Sequence, residues 1–132
     1  MKITKTMKNS EIYGKAEALL TAFPQGEEGK IPVKPLFLLR KNIKSFLDLA
    51  QEIEKTRTEI IQKYGTPSKD DPDKYEFEGD NIEAVNKDLN ELVDCEQEIC
   101  YYTFSLDSLG EVELTNAQMD AIIDFIDYEE GE

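Results

Sequence analysis

The strongest pattern in the chain is a stripe of apolar positions that begins after Pro35. Leu36, Leu39, Ile43, Phe46, Ala50, Ile53, Arg57, Ile60 and Tyr64 alternate spacings of three and four, and Arg57 is the one charged residue among them. Sustained over four heptads, this predicts a helix of ~30 residues, on the order of 45 Å long. Pro35 suits a first helical turn, and Gly65 with Pro67 provides the stop. Leu38, Leu47 and Ile61 widen the stripe, which predicts packing into a core and not only onto one partner helix.

Three shorter helices follow from the same period. Ile12, Ala16, Leu19 and Phe23 line one face after a cap at Asn9 or Ser10, and Phe23-Pro24-Gln25-Gly26 ends that helix. Ile82, Val85, Leu89 and Leu92 line a second, opened by Asp80 and Glu83 as a capping box. Thr115 and Gln118 form another capping box, with Leu114 and Met119 placed as a hydrophobic staple. Met119, Ile122, Ile123 and Ile126 then line a helix to about Tyr128.

Strand signals are fewer. Met1 to Thr6 predicts a short strand, and Tyr75 to Glu78 alternates apolar and acidic residues as an edge strand would. Glu98 to Leu106, EICYYTFSL, is rich in β-branched and aromatic residues on both faces, which predicts a central strand covered on both sides. Its tyrosines are expected in core and sheet packing. The order β-α-α-(β)-α-β-α predicts an α+β fold: a long central helix plus three shorter helices packed with a small sheet.

Between the long helix and the next lies YGTPSKDDPDKYEFEGD, residues 64–80, with six acidic residues and two prolines. Counted from Asp71, a calcium-binding EF-hand loop would need glycine at Glu76 and glutamate at Ile82, so the pattern fails. The stretch is expected to be a solvated acidic connection, partly ordered and mobile around 66–74. With a frayed C-terminal tail, it completes a single domain over 1–132.

Composition and charge sharpen this picture. Of 132 residues, 39% are apolar and 33% charged, enough for one core. No window approaches the ~18 consecutive apolar residues of a membrane span, and MKITKTMKNSEIYGK contains no apolar signal-peptide segment. Residues 1–64 carry 12 Lys/Arg against 8 Asp/Glu (+4), while residues 65–132 carry 3 against 21 (−18), giving −14 in all. Such a chain is expected to avoid nucleic acid and anionic membrane, because phosphate contacts need cations.

The candidate chemistry is sparse. There are no histidines, which removes Ser-His and Cys-His nucleophile arrangements together with histidine metal ligation. Cys95 and Cys100 would stand ~16 Å apart on a strand, beyond disulfide reach, and are expected as buried or half-buried structural residues. Nucleotide-binding, zinc-protease and hydrolase motifs are absent. The close carboxylate pairs Glu27/Glu28, Glu52/Glu54, Glu76/Glu78 and Glu111/Glu113 sit in polar contexts. Neither catalytic residues, nor a cofactor, nor a metal are expected. Arg57 is expected either to pair with an acid of a neighbouring helix or to snorkel to solvent. Lys34, Arg40, Lys41 and Lys44 open the long helix and form the candidate protein-interaction patch, against the alternative of an ordinary polar face.

The order of segments also carries a resemblance. KNSEI at Lys8–Ile12, PVKPLFLLRKNIK at Pro32–Lys44, EIIQKYG at Glu59–Gly65, NKDLNELVD at Asn86–Asp94 and ELTNAQMDAI at Glu113–Ile122 resemble a family of short proteins encoded by tailed phages and prophages of Gram-positive bacteria. The family has no assigned active residues. The resemblance implies a phage-associated, non-enzymatic structural, assembly or protein-interaction protein in the host bacterial cytoplasm or on the virion. Its partner would be a phage structural protein or a second copy, without direct nucleic-acid or membrane contact. The −18 of the C-terminal half motivates the alternative, an acidic inhibitor or DNA mimic of a host nucleic-acid-binding protein.

Overall fold

The structure, a computed structural model, describes residues 1–24, 30–71 and 74–127. Strand β1 (Lys2–Lys8) leads directly into helix α1 (Asn9–Ala22). Ile12, Ala16, Leu19 and Phe23 are all buried, as their spacing requires. Neither expected residue caps the helix: Lys8 is the N-cap, and its backbone N–H donates to the Glu11 carboxylate at 2.9 Å. Asn9 is buried in the first turn because its amide is used elsewhere. It donates to Leu92 O at 2.8 Å and accepts from Gln97 Nε2 at 2.7 Å, tying α1 to the last turn of the third helix and to the strand that follows it.

Helix α2 (Val33–Tyr64) spans 32 residues, starting two residues before Pro35, and ends at Gly65, whose N–H returns to Ile61 O. Glycine suits the close approach there: a Cβ would stand 2.6 Å from the Phe77 ring and would force that side chain to shift. The inner face of α2 is Pro35, Leu39, Asn42, Phe46, Ala50 and Ile53. Beyond Ile53 the stripe leaves the main core. Arg57 is exposed, and Ile60, Ile61 and Tyr64 are half-buried.

In the acidic connection, β2 (Thr66–Pro67) pairs antiparallel with β3 (Tyr75–Glu76), and Ser68 N–H donates to Lys74 O at 2.8 Å. The rest of the expected mobile stretch around residues 72–73 lies outside the described residues, as do the loop at 25–29 and the tail at 128–132. Gly79, at φ +56°, makes the turn into α3 (Asn81–Asp94). The expected Asp80–Glu83 capping box is not formed. Asp80 has helical dihedrals, φ −70° and ψ −9°, so its side chain does not cap the helix. Tyr64 OH donates to Asp88 at 2.8 Å and Asn81 Nδ2 to Tyr64 O at 3.0 Å, which places α3 as a hairpin against the C-terminal half of α2.

Strand β4 (Glu96–Tyr102) pairs antiparallel with β1 in the register Lys2↔Tyr102 to Lys8↔Glu96. It is not the central, doubly covered strand the composition suggested. Ile99 and Tyr101 are buried, but Glu98 and Cys100 on the other face are exposed. Cys95, at the end of α3, is exposed too, so both thiols are solvent-facing. The physical reason is that β4 has one strand neighbour, and α2 with the core covers one face.

After β5 (Phe104–Ser105) and a 3₁₀ turn (Asp107–Leu109), α4 (Asn116–Ile122) opens with the expected Thr115–Gln118 capping box. It is shorter than expected. A 3₁₀ turn (Ile123–Phe125) leads into β6 (Ile126–Asp127), which pairs parallel with β5, Phe104 opposite Ile126. Ile123 is exposed, whereas Phe125, outside the assumed helical stripe, is fully buried.

The described residues thus form an α+β fold with four α-helices and three two-stranded sheets. Its centre is an aromatic trio from three elements: Phe46, Tyr101 and Phe125 have ring centroids 5.4–6.3 Å apart, within the range in which aromatic pairs attract. Lys15 closes one side of the trio. Its ammonium lies 5.0 Å from the Phe125 ring centroid and donates to Ala121 O near the end of α4. Among the described residues, no helix is long and apolar enough to cross a membrane.

Candidate interaction surface

The residues that α2 buries determine what it shows. With 100° between successive residues, an inner face of Pro35, Leu39, Asn42 and Phe46 directs Val33, Lys34, Phe37, Arg40, Lys41 and Lys44 outward. Val33 is 80% and Phe37 62% exposed, two large apolar side chains turned to solvent within one turn of each other. The four basic residues singled out from the sequence surround them, and all four are exposed.

These cations do not form one uniform cluster. Lys34 and Lys41 are two turns apart on the same stripe with Phe37 between them. Lys41 is held in place by two rings: its ammonium lies 5.4 Å from the Phe37 centroid and 4.5 Å from that of Tyr102 on β4. Such contacts contribute roughly 0.5–1 kcal/mol at exposed sites. Arg40 and Lys44 border a groove of about 300 Å³ between α1 and α2, floored by Leu20, Ile43 and Leu47. Lys44 also pairs with Asp48 at 2.7 Å, one turn further along.

Local electrostatics favour an acidic partner. No acidic residue stands in the first turn of α2, so the positive end of the helix dipole is reinforced, not offset, by Lys34. Val33, Phe37, Leu20 and Tyr102 were not singled out from the sequence, yet they provide the apolar part of this surface. One signal was present. Phe37 in PVKPLFLLRK is an aromatic residue opposite the apolar stripe, where a helix with one buried face would carry a polar side chain.

A second concavity, of about 620 Å³, lies where α1, α2 and α3 meet, with Ile53, Leu89 and Leu92 in its wall. Arg57 stands at its edge. Its partner is Glu54 on its own helix, at 3.3 Å, and not an acid of a neighbouring helix; Glu54 is also 3.4 Å from Tyr13 OH on α1. The guanidinium is thereby balanced within α2. Among the described residues, no group of three or more Cys, Asp or Glu side chains is arranged to hold a metal ion. Glu27 and Glu28 lie outside the described residues.

No family model matches the chain, no curated protein is similar to it, and no solved structure matches its fold.

Proposed function

We propose that this is a non-enzymatic, phage-associated structural or assembly protein that works by protein–protein contact, with the outer face of the first three turns of α2 as its contact surface. The observation that carries the reading is the exposed pair Val33 and Phe37 set among Lys34, Arg40, Lys41 and Lys44 on a rigid helix. An apolar patch rimmed by charge is the usual composition of a contact surface. Lys41 is already held against the Phe37 and Tyr102 rings, which lowers the side-chain entropy lost on binding. The resemblance to phage and prophage proteins supplies the context: production in the host cytoplasm, with a virion or assembly component as partner.

The test is co-purification from infected or induced cells with the parent chain and with Phe37→Glu and Lys41→Glu. The expected result is a virion or assembly protein that the parent retains and both variants lose. Retention of the same partner by both variants refutes the assignment of this face. Capture of a host DNA-binding protein through the acidic half instead refutes the functional reading.

A further inference from the structure

Resting on that reading, the geometry points to a specific occupant for the basic face of α2: the acidic tip of the α2–α3 hairpin in a second copy of the chain. The tip has the complementary composition. Glu76, Glu78, Asp80 and Glu83 place four carboxylates within eight residues with no cation between them, and all four are exposed. Ile82 stands among them and is 49% exposed. The face and the tip are therefore complementary, each setting exposed apolar surface beside a cluster of charge, with the signs opposite.

One copy cannot bring the two together. Tyr64 and its partners Asn81 and Asp88 fix the tip at the C-terminal end of α2, whereas Val33 and Phe37 lie at its N-terminal end. From Phe37 to Tyr64 the helix advances about 40 Å at 1.5 Å per residue, and a helix does not fold back on itself. The complementary surfaces can only meet between molecules, tip to face. Such a contact is heterologous, because each copy uses a different surface, and it propagates into open chains or a ring.

Salt acts on this contact in two opposite ways. Each copy carries −14, and at ~0.01 M salt, where the screening length is ~30 Å, that whole charge repels the next copy. At ~0.1 M the length is ~10 Å, so remote repulsion fades while charges in contact still attract; at ~1 M it is ~3 Å and the attraction is lost too. Association is therefore strongest near ~0.1 M.

Sedimentation equilibrium on the full chain tests this with two charge-reversed variants, K34E/K41E and D80K/E83K. The expected result is a parent mass that rises above 15.1 kDa with concentration, from micromolar to near-millimolar, and returns to it in high salt. Each variant alone stays monomeric, since two reversals among four charges bring its face or its tip to zero net charge and remove the attraction. Mixed in equal amounts they associate again, because the unaltered acidic tip of K34E/K41E meets the unaltered basic face of D80K/E83K. If D80K/E83K melts early by opposing the dipole of α3, E76K/E78K replaces it. A parent that remains monomeric at every salt concentration overturns the inference, as does a mixture that fails to associate when the parent does. A monomeric parent whose other partner is still lost on Phe37→Glu would leave the functional reading standing, so the two failures are distinguishable.

Discussion

Asn42 is the residue at which a small change should reveal most about how this fold is held. Its side chain is fully buried in the inner face of α2. Nδ2 donates to Tyr102 O at 2.7 Å and Oδ1 accepts from Tyr102 N at 2.7 Å, so one amide satisfies both backbone groups of a strand residue as a neighbouring strand would. Asn42→Ala removes both bonds. Each buried backbone group left unpaired costs about 1–3 kcal/mol. Tyr102 is only half-buried, so water offsets part of this, and the lower half of the range applies: about 2–4 kcal/mol in total. Against a typical domain stability of about 5–15 kcal/mol, that is a large fraction. At roughly 4 °C per kcal/mol for a chain of this length, the midpoint should fall by about 8–16 °C. Thermal and urea unfolding followed by circular dichroism measure it, and hydrogen exchange should show the Tyr102 amide losing protection first. Asn42→Asp adds a sign to the test. A carboxylate there keeps the acceptor but faces Tyr102 O without a proton, so burial raises its folded-state pKa above the unfolded value of about 3.9. The neutral acid can donate, so stability is highest below the unfolded pKa and lost as pH rises through the folded one. Relative to the parent at the same pH, Asn42→Asp should melt closer at acid pH than at neutral pH. An Asn42→Ala midpoint within about 2 °C of the parent, well short of the effect of even one lost bond, would refute the reasoning.

Three further predictions are simpler. Ile53→Asp places an unpaired charge at a position only 7% exposed; it should cost several kcal/mol, roughly 3–5, and abolish cooperative unfolding, so a variant melting near the parent would mean the stripe has been misread there. Thr115→Ala removes the oxygen that accepts from Gln118 N at 3.0 Å and should cost about 1 kcal/mol, seen as a midpoint lowered by a few degrees; no change would mean α4 is held by packing alone. Cys95 and Cys100 are both exposed, so both should react with a thiol reagent in the native state, and a reaction that waits for denaturant would contradict the one-sided sheet.

Local signals in the sequence were sufficient wherever the cause of a structure was itself local. The three-and-four spacing of Leu39, Ile43, Phe46, Ala50 and Ile53 made α2 legible, because burying one helical face requires that period. The Thr115–Gln118 capping box marked the start of α4, because both of its bonds lie within four residues. Gly65 marked the end of α2, although the sequence could not show that the Phe77 ring presses against it. Where the cause was distant, the same signals misled. Glu98–Leu106 has strand composition on both faces, but composition cannot say how many strands are available to pair with it. Asn42 is a polar residue one position from an apolar stripe; only the arrival of Tyr102, 60 residues later, makes it the most buried polar side chain of α2. The candidate surface divides in the same way. Its four cations, and the four-residue spacing of Lys44 from Asp48, could be read from the sequence, but the seat of Lys41 against the Tyr102 ring follows from tertiary packing. The sequence carried the periods and the charges; which residues they face was decided by contacts between segments far apart in the chain.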